Sequence, residues 1–125
     1  LISAKESVKC VLKLKKPTLD HLNAERFRGM LSAGAIEECK LARRYGMGPL
    51  SQSFKAIGVS EIVKFLDGVV ELEDSEKKAI TRTRQYSKRQ VTWFRNNFSD
   101  WKCYSLDELN HSQISKKIIT SIGKL

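Results

Sequence analysis

Proline is scarce in this chain, at two residues in 125, and no Ser/Gly/Pro-rich tract interrupts it. A disordered linker or low-complexity tail therefore has no compositional basis. No apolar run approaches the ~20 residues that a membrane-spanning helix needs, and the N-terminus does not read as a secretory signal. Cysteine is limited to Cys10, Cys39 and Cys103, odd in number, far apart and without a CxxC pair. The two histidines, His21 and His111, lie ninety residues apart. These spacings argue against a zinc site and a disulfide framework, and reduced thiols in the cytoplasm fit them best. The chain also opens on Leu1 and not on Met, which fits a piece of a longer protein and equally a processed one.

Basic residues are abundant. Lys and Arg outnumber Asp and Glu by 23 to 14, a formal net charge of +9. An excess of that size favours a polyanionic partner such as RNA, and its bland alternative is solubility alone. Hydrophobic residues make up 41% of the chain and charged residues 30%, the balance of a soluble globular protein. At this length roughly two-thirds of the unfolded surface is buried on folding, so a modest core is within reach.

The hydrophobic periodicity predicts a mostly α fold, a single partial domain over 1–125 with one or two short strands. Residues 8–14 mix apolar and basic side chains with β-branched enrichment and read as a strand. Thr18 suits a helix N-cap, and Leu19, Leu22, Phe27, Met30 and Leu31 follow at helical spacing. That helical region runs over about 18–45, broken near Gly34, with Ile36, Cys39 and Leu41 turned inward in its second segment. Further helices are expected at about 60–67, 72–96 and 111–123, the last presenting Ile114, Ile118, Ile119 and Ile122. Residues 101–104 suit a second strand. An isolated strand leaves its backbone donors and acceptors unpaired. Residues 8–14 must therefore pair with 101–104 or with sequence outside this chain.

The stretch 81–96 holds five basic residues, two glutamines, three aromatics and no acid. At about 100° per residue, Arg84, Lys88 and Arg95 share one stripe of a helix, and Arg82, Tyr86, Arg89 and Trp93 a nearly opposite one. Ile80, Val91 and Phe94 fall on a third face, expected to meet the core. Like charges stacked one turn apart repel, so a helix stabilised only by itself would not carry this pattern. An anionic partner removes the conflict, because guanidinium groups hold phosphates in pairs and Tyr or Trp can stack an unpaired base. The adjacent Glu37 and Glu38 diverge on a helix and read as structural, not as a catalytic pair.

The string Thr83-Arg84-Gln85-Tyr86-Ser87-Lys88-Arg89-Gln90-Val91-Thr92-Trp93-Phe94-Arg95-Asn96 resembles the T-R-x-Y-A-K-R-Q-x-T-W-F-R-N signature of tRNA dimethylallyltransferases. Three further blocks agree in order. Glu25-Arg26-Phe27-Arg28-Gly29-Met30-Leu31 is similar to A-R-V-D-x-M-L, and Gly34-Ala35-Ile36-Glu37-Glu38 to G-L-x-E-E. Ala56-Ile57-Gly58-Val59-Ser60-Glu61 with Phe65-Leu66-Asp67-Gly68 is similar to A-I-G-Y-K-E and Y-L-x-G. The resemblance covers roughly residues 8–105 and corresponds to the C-terminal portion of the family. It departs from the pattern at Leu22, where the family often carries an arginine, and at Val59, where it has tyrosine.

That resemblance implies a transferase with a P-loop-type α/β core using Mg²⁺. Such enzymes move the dimethylallyl group of dimethylallyl diphosphate to N6 of the adenosine 3′ of the tRNA anticodon, with the base flipped out of its stack. The intact enzyme is expected to be a cytoplasmic monomer without a membrane partner. The phosphate loop and the Asp that activates adenine belong to the family's N-terminal half. Gly46-Met47-Gly48 lacks the Gly-Lys-Ser/Thr that a P-loop requires. No catalytic residue and no metal ligand is therefore expected in this chain, no Mg²⁺ bound to it alone, and no activity in isolation. Arg26 matches the family's diphosphate-contacting arginine, a role suited to a permanent charge with a fork of donors. Arg82, Arg84, Tyr86, Lys88, Arg89, Trp93 and Arg95 form the expected surface for the tRNA anticodon stem-loop. The rival class is a stand-alone helical RNA-binding module.

Overall fold

The computed structural model describes residues 6–123. In chain order these form strand β1 (Cys10–Lys13), helices α1 (Lys16–Ser32) and α2 (Ala35–Arg44), a 3-10 turn at Ser53–Lys55, and helices α3 (Val59–Leu66) and α4 (Leu72–Asn97). Strand β2 (Lys102–Ser105) and helix α5 (His111–Ile122) follow. The chain gathers into two compact units, Asp20–Gln90 and the segments on either side of it.

Within Asp20–Gln90 the core is small and mixed in size. Phe27, Ala35, Cys39, Ile62 and Ala79 are buried, and Leu31, Ile36, Val59, Leu66 and Ile80 pack against them. Gly34, in a left-handed conformation at φ 108°, separates α1 from α2 at the break the sequence suggests. Gly58 is the tighter requirement. Its φ is 102°, and a Cβ built there would stand 2.8 Å from Cε2 of the Phe27 ring. Only glycine meets both conditions, the positive φ and the absence of a side chain.

The face of α4 that turns inward differs from the expected one. Ser75, Ala79 and Thr83, one turn apart, are the buried residues of this helix. Ser75 Oγ donates to the Glu61 carbonyl at 2.7 Å, and Thr83 Oγ1 to the Ala79 carbonyl at 2.9 Å. Only Ile80 of the expected apolar face packs on the core. Val91 is 55% exposed and Phe94 39% exposed. Small, weakly polar residues carry little hydropathy signal, yet their repeat at i, i+4 decides which side of the helix meets the core. Leu41 likewise stays half-exposed, while Cys39 is buried and Ile36 packs on the core as expected.

In the flanking unit, β1 and β2 pair in parallel, with Cys10 opposite Lys102, Val11 opposite Cys103, Leu12 opposite Tyr104 and Lys13 opposite Ser105. The expected strands 8–14 and 101–104 are therefore each other's partners, shortened or shifted by a few residues. Helix α1 starts at Lys16, ahead of the expected cap at Thr18, because Asp107 serves its first turn from outside. The Asp107 carboxylate accepts from the Lys15 N–H at 2.6 Å and from the Thr18 hydroxyl. Pro17 in the first turn loses nothing by lacking an N–H. Asn110 and Gln113 form a reciprocal capping box on α5, each side chain accepting from the other's backbone N–H at 2.9 Å. Of the α5 isoleucines Ile114 is buried, whereas Ile119 and Ile122 are exposed.

Candidate nucleic-acid face and anion cleft

The whole of 81–96 lies on the uninterrupted helix α4. Its cations fall into two groups. Arg82 donates to Oε1 of Glu61, and at 2.8 Å to the Ser60 hydroxyl. Glu61 is 3% exposed, and its Oε2 also accepts from the Gly58 N–H at 2.9 Å and from Ser60 Oγ at 3.0 Å. Burial alone would raise the Glu61 carboxyl. The bonds from Arg82, Gly58 and Ser60 outweigh it and hold the group below the ordinary carboxylate range. Arg84 meets Asp20 of α1 at 3.1 Å. The charge conflict on this helix is thus relieved partly inside the chain.

The second group stands free. Lys88, Arg89 and Arg95 are exposed and form no ion pair among the described residues. The Arg89 guanidinium lies over the Tyr86 ring at 5.9 Å, and Tyr86 itself is half-exposed. In the flanking unit Trp93, 52% exposed, packs edge-on against Phe94 at 5.2 Å and Phe98 at 5.1 Å, and Phe98 leans on Trp101 at 4.2 Å. A ring beside an unpaired cation, as Tyr86 stands beside Arg89, offers stacking and phosphate contact together.

Arg26 lies on α1, one position before buried Phe27, and its side chain forms no hydrogen bond or ion pair among the described residues. It lines an open cleft of about 360 Å³ with Phe27, Met30, Lys55, Ile57 and Tyr86. The structure thus brings Arg26 and Tyr86, assigned separately from sequence, to one cavity. Two residues here escaped sequence reasoning. Glu61 had a usable signal, since a Glu three positions after Gly58 is placed to accept from the cap N–H. Lys55 had none, because only folding carries the 3-10 turn to the side of α1. Among the described residues no group of three His, Cys, Asp or Glu side chains could hold a metal ion. No described helix is long and apolar enough to cross a membrane.

A mostly helical chain with exposed cations and rings on its longest helix, and an arginine in an apolar-floored cleft, is equipped to recognise anions. Residues 3–97 match the family described as IPP transferase, and the chain belongs to that family. A tRNA dimethylallyltransferase of Ruegeria sp. (strain TM1040) is 39% identical over 103 residues, covering 82% of this chain and 35% of that protein. The same-named protein of Chelativorans sp. (strain BNC1) is 42% identical over 95 residues, 75% of this chain and 32% of that one. Among solved structures, the tRNA delta(2)-isopentenylpyrophosphate transferase of Staphylococcus epidermidis superposes with a TM-score of 0.87 at 28% identity, covering 94% of this chain and 38% of that one. The full-length tRNA isopentenylpyrophosphate transferase of Bacillus halodurans gives 0.78 at 30% identity, covering 93% and 37%. The chain thus spans about a third of the length of the curated relatives it matches. The family resemblance and the mostly helical fold with a small sheet both stand as the sequence implied.

Proposed function

We propose that this chain is the C-terminal part of a tRNA dimethylallyltransferase and supplies a tRNA-facing helix and one wall of the prenyl-donor site. The observation that carries this reading is the meeting of Arg26 and Tyr86 in one cleft, beside a helix bearing the long signature. In the intact enzyme N6 of the adenosine 3′ of the anticodon attacks C1 of dimethylallyl diphosphate. A C–N bond forms, the C–O bond breaks, and diphosphate leaves with the bonding pair. The N6 proton passes to the Asp that the resemblance assigns to the N-terminal half. Arg26 holds the departing diphosphate, whose negative charge grows as the C–O bond lengthens. Mg²⁺, if held by the part of the intact enzyme outside this chain, would supply charge neutralisation.

Lys88, Arg89 and Arg95, with Tyr86 and Trp93, form the tRNA contacts of this reading. Arg84 joins them where phosphate competes with Asp20. Arg82 is held by Glu61 and shapes the helix rather than reaching RNA. The protein works in the cytoplasm as a monomer. The isolated chain is inactive, because phosphate loop and base lie outside it; a prenyl-transfer assay with tRNA and dimethylallyl diphosphate checks this, and turnover at an enzyme's usual rate would overturn it. A helical RNA-binding module without catalysis would explain the basic helix equally well but leaves the Arg26 cleft without a role. Coding sequence upstream of Leu1 decides between them: a G-x-x-x-x-G-K-[ST] loop after a strand belongs to the transferase alone.

A further inference from the structure

We propose that Lys55 is a second diphosphate-binding residue, acting with Arg26 across the cleft. This rests on the transferase reading and extends it to a residue that no motif singles out. Lys55 closes the 3-10 turn Ser53–Lys55, and Arg26 stands on α1, so the two cations come from separate elements to line one cavity. Neither side chain forms an ion pair or hydrogen bond among the described residues. Most arginines of this unit are committed: Arg28 to Glu76 and Glu25, Arg43 to Asp67, Arg82 to Glu61 and Arg84 to Asp20. Two uncommitted cations facing one cavity repel each other, and a divalent or trivalent anion between them relieves that repulsion. The rest of the lining is mainly apolar, with Phe27, Met30, Ala56 and Ile57, and adds the hydroxyl-bearing Thr83 and Tyr86 but no acid. A cleft with two charges and an apolar floor matches a small anion bearing a short hydrocarbon tail better than it matches a nucleic-acid backbone, which calls for a track of cations.

The chemistry also assigns different tasks to the pair. Arginine offers a planar fork that can span two phosphoryl oxygens, whereas the lysine ammonium is a compact point charge on a flexible stem. Lys55 is therefore suited to following the diphosphate as it leaves, while Arg26 fixes its orientation.

The test is calorimetric titration of the chain with sodium pyrophosphate, and separately with dimethylallyl diphosphate, at low salt. Lys55→Gln, Lys55→Arg, Arg26→Gln and the control Lys78→Gln are compared with the parent chain, with circular dichroism confirming unchanged fold. Lys78 is exposed on α4 and outside the cleft. The expected result is on the order of tenfold weaker pyrophosphate binding for Lys55→Gln, the size of one charge-assisted hydrogen bond. Lys55→Arg recovers part of that loss, and Lys78→Gln is silent. Dimethylallyl diphosphate binds the parent chain at least as tightly as pyrophosphate. Equal binding by Lys55→Gln and the parent, with Arg26→Gln weakened, overturns the role of Lys55 and leaves the transferase reading standing. Equal weakening by Lys78→Gln overturns it as well, since general charge would then be responsible. Absence of pyrophosphate binding in the parent overturns the cleft as an anion site in this chain, while the RNA titration that tests the transferase reading remains a separate result.

Discussion

Replacing Arg82 with Met keeps the aliphatic stem and removes the charge that faces Glu61. The carboxylate is then left 3% exposed with only the Gly58 N–H and the Ser60 hydroxyl as donors. Breaking a fully buried pair costs about 3–5 kcal/mol. Arg82 keeps 39% of its side chain in solvent, so screening reduces that, and about 2 kcal/mol is the working figure. With an unfolding entropy of about 2.1 cal/mol/K per residue over 125 residues, that lowers the melting temperature by about 8 °C. The loss carries a pH signature. Glu61 in the folded parent sits below the ordinary carboxylate value, so its contribution is complete above about pH 4.3 and fades as pH falls through the folded value. In Arg82→Met burial is opposed only by the Gly58 and Ser60 bonds, the folded value rises, and the two proteins converge in acid. Urea denaturation of both at neutral pH and near pH 3 measures the difference directly. A stability gap under about 0.5 kcal/mol at neutral pH, or one that persists unchanged in acid, would refute the assignment.

Other positions respond in ways the same structure sets. Gly58→Ala combines a strained positive φ with a Cβ 2.8 Å from the Phe27 ring, and is expected to cost about 3 kcal/mol in a denaturant titration. Asn110→Ala removes one side of the α5 capping box and should cost about 1 kcal/mol, seen as lost helicity or a lower melting temperature.

The elements were largely legible because strong periodicity and punctuation coincide. The break at Gly34, the stop at Asp67-Gly68 and the uninterrupted 72–96 pattern all mark real boundaries. The pairing of the two strands followed from backbone accounting alone, although its parallel sense did not. Side-chain direction was less readable. On α4 the inward stripe is Ser75, Ala79 and Thr83, residues whose hydropathy says little, so Val91 and Phe94 were misdirected to the core. At α1 the cap came from Asp107, some ninety positions away, and no local pattern encodes such a partner. The site divides the same way. Motif matching placed Arg26 and Tyr86, which the fold brings together, but it could not separate Arg82, bound to Glu61, from Lys88 and Arg89, which stand free.

The central claim is that the free cations of α4 meet tRNA phosphates. Binding of an anticodon stem-loop RNA to this chain across a salt series, beside a Lys88/Arg89/Arg95→Ala variant, tests it most directly. Each phosphate contact contributes about 0.7–0.9 to the slope of log affinity against log salt, so the variant should lose roughly two to three from that slope, with weaker binding at low salt. The same slope and affinity in both proteins would contradict the claim and assign those charges to solvent.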